Sequence, residues 1–237
     1  MIQKLPLSHL VFLDVETVPQ HACYDELDHE WKDLWEKKSA YQRKDQFTAA
    51  EFYDRASIWA EFGKIICISV AYFNPDGQSR QLRVTSFAGD EDQLLKEFKN
   101  LLDRHFAHHK YVLCAHNGKE FDFPYIARRM LINGIGLPDK LNLFGKKPWE
   151  IPHLDTMELW KFGDYKHYTS LKLLAKIFNI PSPKDDIDGS QVRDVYYLEN
   201  DLGRIIDYCE KDTITVVQLV LKMRGEALLK VDEILTV

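Results

Sequence analysis

Hydrophobic residues recur along the chain in two patterns, which distinguish its strands from its helices. Short continuous apolar runs rich in β-branched and aromatic residues predict buried strands, whereas apolar residues three and four positions apart predict helices with one buried face. The predicted strands are Leu10–Val15, Lys64–Phe73, Gln81–Phe87, Tyr111–Ala115 and Ile151–Thr156. The predicted helices are Asp90–Phe106, Pro124–Ile132, Ser170–Phe178 and Asp201–Met223.

The order of these elements predicts the fold class. Three strands come first, and a turn signal at Asn74-Pro75-Asp76-Gly77 joins the second and third into a hairpin. Helices and strands then alternate before a long closing helix, which is typical of an α/β domain with a mixed sheet. A chain of 237 residues is long enough to bury a substantial core, so we assign residues 1–237 to a single domain.

An insertion at about residues 20–62 separates the first two predicted strands. Apolar residues with helical spacing predict that it forms two helices packed on the domain. These residues are Trp31, Leu34 and Trp35 in the first helix, and Phe52, Ala56 and Trp59 in the second. A mobile flap that grips a substrate with exposed aromatic rings is the alternative, although such rings more commonly pack in a core.

Composition indicates a soluble globular protein with no membrane partner. Hydrophobic residues make up 45% of the chain and charged residues 29%, and no apolar run is long enough to span a bilayer. The first residues do not have the pattern of a signal peptide. The four cysteines are scattered and form no CxxC pair, which is typical of reduced, buried thiols in a cytoplasmic protein.

The distribution of charge is uneven. A net charge of −6 argues against broad, nonspecific binding to a phosphate backbone. Residues 139–184 nevertheless hold eight lysines against five acids. This segment is either a local basic wall beside a site or simply a solvated face, which is the more common meaning of such a run.

Two acids at the end of the first strand are the first candidates for functional residues. Side chains alternate between the faces of a strand, so Asp14 and Glu16 point the same way while Val15 points into the core. Their separation of roughly 6.6 Å along the strand allows both carboxylates to bind one divalent ion. Alone, this DxE pattern is weak, because two solvated acids at a strand end explain it equally well.

A third acid follows the fourth strand in the segment His116-Asn117-Gly118-Lys119-Glu120-Phe121-Asp122. Loops at strand ends commonly carry functional residues. Asp122 also stands just before Pro124, where a helix is expected to begin, and helix capping would explain an acid there without any function. Both interpretations remain open at this point.

The fourth acid lies on the closing helix. Tyr208 and Asp212 are four residues apart and therefore share one face of that helix. On a helical wheel Asp212 falls at the edge of the apolar stripe, beside Ile205 and Val216, so its carboxylate needs a partner. A basic side chain could be that partner, but with three other acids at strand ends a metal ion is the better explanation.

These three segments, in this order, resemble the three exonuclease motifs of the DEDD superfamily, and Tyr208-x-x-x-Asp212 resembles its tyrosine subgroup. The chain is most similar to stand-alone bacterial proteins related to the exonuclease domain of family-B DNA polymerases. Three further segments also resemble that group: Ser170-Leu171-Lys172-Leu173-Leu174, Ile187-Asp188-Gly189-Ser190-Gln191-Val192 and Tyr196-Tyr197. The resemblance implies a ribonuclease H-like fold with a mixed five- to six-stranded sheet flanked by helices and a helical insertion after the first strand.

The resemblance also implies a two-metal 3′–5′ exonuclease that releases nucleoside monophosphates from the 3′ ends of single-stranded DNA, or of RNA. The expected metal ligands are Asp14, Glu16, Asp122 and Asp212. Their hard oxygen atoms suit two Mg²⁺ or Mn²⁺ ions, which would stabilise the attacking and leaving oxygens. Tyr208, with an unperturbed pKa near 10, is a poor base at pH 7 and is expected to orient the attacking water.

The remaining expectations concern substrate and partners. The family likeness implies that Thr17 contacts the terminal sugar and that Asn117 and Phe121 hold the last nucleotides. A DNA polymerase or repair complex that uses this chain for proofreading in trans is a possible partner. Two alternatives remain open: a nucleic-acid-binding module of the same fold that does not cut, and an endonuclease of the ribonuclease H type.

Overall fold

Strand β1 (Leu10–Pro19) lies at the centre of a six-stranded mixed sheet in the computed structural model. The structure describes residues 2–44, 46–74, 80–164, 168–181 and 186–237. The other strands are β2 (Gly63–Phe73), β3 (Leu82–Ala88), β4 (Val112–Ala115), β5 (Leu154–Asp155) and β6 (Ile234–Thr236). Their order is β5-β4-β1-β2-β3-β6. The β1/β2 and β2/β3 pairs are antiparallel, and the β1/β4, β4/β5 and β3/β6 pairs are parallel.

Helices cover both faces of this sheet. They are α1 (His29–Arg43), α2 (Glu91–His105), α3 (Asp122–Ile132), α4 (Thr156–Lys161), α5 (Leu171–Ile177), α6 (Val192–Asp194) and α7 (Leu202–Met223). A π-helical turn at Val195–Glu199 follows α6, and a 3₁₀ helix at Tyr53–Ile58 precedes β2. Shorter 3₁₀ turns lie at Ile2–Lys4, Leu7–His9, Tyr24–Glu26, Pro148–Glu150 and Val231–Glu233. None of the helices in the described ranges is long and apolar enough to cross a membrane.

The period of two along β1 divides the core into two layers. Val11, Leu13 and Val15 pack with α2 and α3 on one face of the sheet. Leu10 and Phe12 pack on the other face, against the apolar stripe of α7. Because β1 is buried on both sides, its sequence is continuously apolar until Asp14, as the pattern predicts.

Several element boundaries differ from the predicted ones. β1 extends to Pro19 because β2 pairs with it as far as Gly63. The strand predicted at Ile151–Thr156 contains two residues, since Asp155 caps α4 and ends the extended segment. β6 was not predicted, because only its pairing with the edge of β3 makes this short segment a strand. Except for Asn74, the predicted hairpin turn lies outside the described residues.

Among its described residues the insertion contains one α-helix, so the prediction of a second helix there is only partly correct. The second predicted helix is instead the short 3₁₀ helix Tyr53–Ile58, which ends four residues before β2 begins. Trp35 is fully buried at the centre of the insertion, and its indole Nε1 donates to the Ala49 carbonyl at 2.8 Å. Most of the aromatic rings of this segment pack around Trp35, as the core-packing interpretation predicts.

Candidate active site

Asp14 and Glu16 lie on the face of β1 that packs against α7. In the register with β2, Asp14 is opposite Ser69 and Glu16 is opposite Cys67. The register shifts between Glu16 and Thr17. Glu16 is 8% exposed, and among the described residues no hydrogen-bond donor or cation pairs with its carboxylate. An unpaired buried carboxylate is costly, which makes Glu16 a candidate ligand for a cation.

Asp122 reaches the same place from the loop after β4. Asn117 adopts a left-handed conformation (φ 64°) that reverses the chain, and a side chain at Gly118 would collide with Ala115 and Phe123. The loop therefore needs its glycine to pack closely against the end of β4. Helix α3 begins at Asp122 itself and no side chain caps it, so the capping explanation for this acid is wrong.

Asp155 holds the loop that carries Asp122. Its buried carboxylate accepts hydrogen bonds from the backbone amides of Asn117 at 3.0 Å and Lys119 at 3.1 Å. It also accepts from the amides of Met157 and Glu158 at the start of α4. One acid at the end of β5 thus fixes two segments, and it supports the site from behind rather than binding in it.

Helix α7 contributes Tyr208, Cys209 and Asp212 to the site. The hydroxyl of Tyr208 hydrogen-bonds with the carboxylate of Asp212, one turn later on the same face. The Sγ atom of Cys209 lies 3.7 Å from Oδ2 of Asp14 and 3.4 Å from its carbonyl oxygen. α7 therefore closes over β1 directly at the acidic pair.

The four acids lie close together, and this proximity shifts the pKa values of Asp14 and Glu16. Burial raises the pKa of Asp14 well above its usual range, and the negative charges of Glu16, Asp122 and Asp212 raise it further. Burial, then Asp212, raises the pKa of Glu16 in the same way. Burial also raises the pKa of Asp122 to about 7, and the charge of Asp155 adds to the shift, although the backbone amides of Asp122 itself and of Val15 donate to its carboxylate and oppose it.

This arrangement fits divalent cations. Acids from β1, from the loop after β4 and from α7 converge on one place, and their mutual repulsion is relieved when positive charge is added. Hard carboxylate oxygens are the ligands that Mg²⁺ and Mn²⁺ prefer. The site that the sequence predicts from Asp14, Glu16, Asp122 and Asp212 is therefore brought together by the fold.

A cleft with a volume of about 800 Å³ opens above the acids. Asp14, Tyr208 and Asp212 form part of its lining. On the opposite wall α5 presents Lys172 and Lys176, which are four residues apart and share one face. These two lysines come from the basic 139–184 segment, so part of that run faces the cleft.

Tyr168 also lines the cleft, and the sequence analysis did not single it out. Its side chain is largely exposed, and its pKa is raised by burial and then by the charges of Asp122, Asp155 and Asp14. No periodic pattern marks a tyrosine in a loop, and its only signal is its place just before the Ser170 cap of α5.

The three predicted substrate residues have different surroundings. The hydroxyl of Thr17 donates to the Ser57 carbonyl of the insertion at 3.0 Å. Asn117 has a buried side-chain oxygen without a hydrogen-bond partner in the described structure. The ring of Phe121 packs on Tyr125 with centroids 5.2 Å apart. Asn117 alone of the three thus holds an unused polar atom beside the acids.

His116 positions the cleft wall. Its Nε2 lies 2.9 Å from the Thr169 carbonyl, which can only accept, so Nε2 carries the proton and Nδ1 accepts from the Thr156 hydroxyl at 2.8 Å. Burial lowers the pKa of His116 and keeps the ring neutral. With both nitrogens occupied, His116 has no lone pair free for a metal ion.

Comparisons with known proteins place the chain in a family. A search of curated proteins finds no match. A solved structure of the family B DNA polymerase from the hyperthermophilic archaeon Pyrobaculum calidifontis matches with a TM-score of 0.56 at 16% identity, over 91% of this chain and 25% of the polymerase chain. This match confirms the predicted ribonuclease H-like fold, and this chain corresponds to about a quarter of that polymerase.

A family model described as a predicted 3′–5′ exonuclease related to the exonuclease domain of PolB matches residues 58–228. The matched range contains Asp122, Tyr208 and Asp212 and begins after the β1 acids and most of the insertion. The chain therefore belongs to this family of predicted exonucleases related to the PolB exonuclease domain.

Proposed function

We propose that this protein is a metal-dependent 3′–5′ exonuclease of the tyrosine subgroup that removes nucleoside monophosphates from single-stranded DNA or RNA. The observation that carries the proposal is the convergence of four buried or half-buried acids and Tyr208, of which Asp14, Asp212 and Tyr208 line an open cleft. Family membership supports the same class of reaction.

Two divalent cations, Mg²⁺ or Mn²⁺, are the proposed cofactors. Asp14, Glu16 and Asp212 would hold one ion, and Asp14 and Asp122 the other. When bound, such ions neutralise charge at the scissile phosphate and stabilise the attacking and leaving oxygens. The chain supplies the ligands already gathered on rigid elements, because β1 and α7 are fixed by the core.

Tyr208 positions the attacking water in this proposal. The burial and negative charge that surround its hydroxyl raise its pKa, so it remains protonated at neutral pH and does not act as a base. Its hydroxyl donates to Asp212 and keeps its oxygen lone pairs as acceptors for a water proton. Asp212 in turn fixes the orientation of the ring.

The cleft favours a single strand with a free end. Lys172 and Lys176 offer positive charge to backbone phosphates, and Tyr168 offers an aromatic face for base stacking. Thr17, Asn117 and Phe121 would hold the last nucleotides on the insertion side. A local basic wall is sufficient for a short strand, which reconciles the function with a net charge of −6.

The decisive experiment is digestion of end-labelled single-stranded DNA and RNA with Mg²⁺ or Mn²⁺. We expect nucleoside monophosphates to be released from the 3′ end. Strands that carry their label at the 5′ end should therefore shorten stepwise. Asp14→Ala and Asp212→Ala should abolish hydrolysis with little loss of folding, because removing one acid relieves repulsion in the metal-free site. Asp207→Asn is the matched control, since Asp207 is an exposed acid one residue before Tyr208.

The alternatives give different outcomes in the same assay. A binding module would bind the labelled strands but would not shorten them, whichever metal ion is added. An endonuclease would cut a circular single strand, on which an exonuclease cannot begin. Wild-type activity in Asp14→Ala would reject the assignment of the acids. If the chain acts in trans, adding a DNA polymerase that lacks proofreading should increase the removal of mismatched 3′ ends.

A further inference from the structure

We infer that Cys209 forms a three-ligand site with Asp14 and Glu16 that binds thiophilic divalent cations such as Cd²⁺ or Zn²⁺. The binding part of this inference is independent of the proposed function. Its consequence, that such ions inhibit hydrolysis in competition with Mg²⁺ or Mn²⁺, rests on the proposed function.

The geometry of the three side chains suits one ion. One ligand atom from each of Asp14, Glu16 and Cys209 lies within 4.8 Å of the other two. Oxygen and sulfur ligands of a four-coordinate ion, at roughly 2.1 and 2.3 Å from the metal, lie roughly 3.6 Å from each other. The Sγ atom of Cys209 is 3.7 Å from Oδ2 of Asp14, so this edge already has the required length.

The second observation concerns the hydrogen-bond and charge partners of these side chains. Glu16 is 8% exposed, and its carboxylate has neither a donor nor a cation among the described residues, although it points into the group. The thiol of Cys209 is the donor to Asp14. A cation that takes the place of the thiol proton would therefore satisfy the buried Glu16 and Cys209 and the half-buried Asp14 at once.

The chemistry separates two classes of metal. Mg²⁺ prefers oxygen ligands and is expected to leave the thiol protonated. Cd²⁺ and Zn²⁺ form strong bonds to thiolate sulfur, and the thiol releases its proton to solvent as the metal–sulfur bond forms. An ion held by the Cys209 sulfur would take up Asp14 and Glu16, which are carboxylates that the proposed activating ions need.

The direct test is a titration of the metal-free full chain with Cd²⁺, followed by the ultraviolet charge-transfer band of cadmium–thiolate bonds. We expect one equivalent to saturate the band in the wild type. Cys209→Ser and Cys209→Ala should lose it, and either variant suffices if the other does not fold. Cys114→Ser, which changes another fully buried thiol, and Cys23→Ser, which removes the exposed one, should keep it.

A second measurement follows hydrolysis at fixed Mg²⁺ with increasing Cd²⁺. The concentration that halves the rate should rise at least about tenfold in Cys209→Ser, because even loss of a group behind a metal ligand weakens affinity tenfold or more. A band that persists in both Cys209 variants would overturn the inference. If the band depends on Cys209 but the protein hydrolyses no nucleic acid, the inferred metal site stands and the proposed nuclease function is rejected.

Discussion

The residues of the site are held in place by hydrogen bonds that would remain intact during the proposed reaction. Tyr208 donates to Asp212, and Asp155 accepts four backbone amides behind the loop of Asp122. Such contacts place side chains within the narrow tolerances that hydrolysis requires. Their removal should therefore affect rate and stability in different proportions.

Tyr208→Phe removes the hydroxyl that is proposed to orient the attacking water and keeps the ring. We expect the rate of the chemical step to fall about 10- to 100-fold, which is the value of one well-placed hydrogen bond. Mn²⁺ affinity should stay nearly constant, because Tyr208 is not a proposed ligand. Single-turnover hydrolysis and Mn²⁺ titration measure the two quantities, and unchanged turnover would refute the role of Tyr208.

Asp155→Asn should affect both the site and the fold. The amide keeps one acceptor oxygen but replaces the other by a donor, which then faces either the amide of Lys119 or the amides of Asn117, Met157 and Glu158. We expect a loss of about 1–3 kcal/mol in the free energy of unfolding, together with a lower kcat from displacement of Asp122. Urea unfolding and steady-state kinetics test this, with Asp207→Asn as control. A variant that unfolds more easily but turns over normally would limit Asp155 to a structural role.

At the scale of elements, sequence patterns were sufficient where burial alone decides the structure. The β1 acids were placed on one face by the period of two, and Asp212 by its position beside the α7 stripe. The patterns failed where a distant partner decides. β6 exists because it pairs with β3, and the second helical segment of the insertion is a short 3₁₀ helix between Trp35 and β2.

A largely buried ion pair, Arg129–Glu91, helps to join the insertion to the helical layer. Arg129 of α3 is 3% exposed, and its guanidinium donates to both oxygens of Glu91, at 2.8 and 2.5 Å. It also donates to the Ala60 carbonyl at 2.8 Å, and Glu91 accepts the amide of Ile65 at the start of β2. This pair therefore joins α2, α3 and the end of the insertion, all on the side of the sheet opposite α7.

Arg129→Met should lower the free energy of unfolding by about 3–5 kcal/mol, because it leaves the buried Glu91 carboxylate without its cation. Adding Glu91→Gln should recover part of the loss, since the remaining group is then neutral. Arg128→Met is the matched control: this neighbouring arginine is exposed and should change stability by less than about 0.5 kcal/mol. Denaturant unfolding measures all three, and equal effects of the two arginines would contradict the argument.

At the scale of the whole molecule, the fold concentrates negative charge in its interior and places lysines around the opening. Part of the site was predictable, because Asp14, Glu16 and Asp122 lie near the ends of predicted strands and Asp212 lies beside the apolar stripe of the closing helix. The cleft wall was not, since Tyr168 and Lys176 reach the acids only through the packing of α5 beside α7. The molecule therefore folds with unfavourable charge at its centre, which has a measurable consequence.

In the metal-free protein, the raised pKa values of Asp14, Glu16 and Asp122 make the folded state bind more protons than the unfolded state above about pH 4. The free energy of unfolding then falls as pH rises, by up to about 1.4 kcal/mol per pH unit for each group. Burial lowers the pKa of His153 to about 4, and this group has the opposite slope between about pH 4 and 6.5. A single pH profile therefore mixes both contributions.

Comparison with Asp122→Asn isolates the acidic contribution, because the histidine terms cancel in the difference. In a chelator, we expect the wild type to lose stability relative to Asp122→Asn from pH 5 to pH 7, through the Asp122 pKa of about 7. At pH 8, Mg²⁺ or Mn²⁺ should restore the wild type far more than the variant, since bound ions stabilise the folded state by mass action and Asp122 is a proposed ligand. Urea unfolding at four pH values with and without metal measures both effects. A difference that stays flat with pH, or a variant that gains as much from metal as the wild type, would mean that Asp122 does not share the charge of the site.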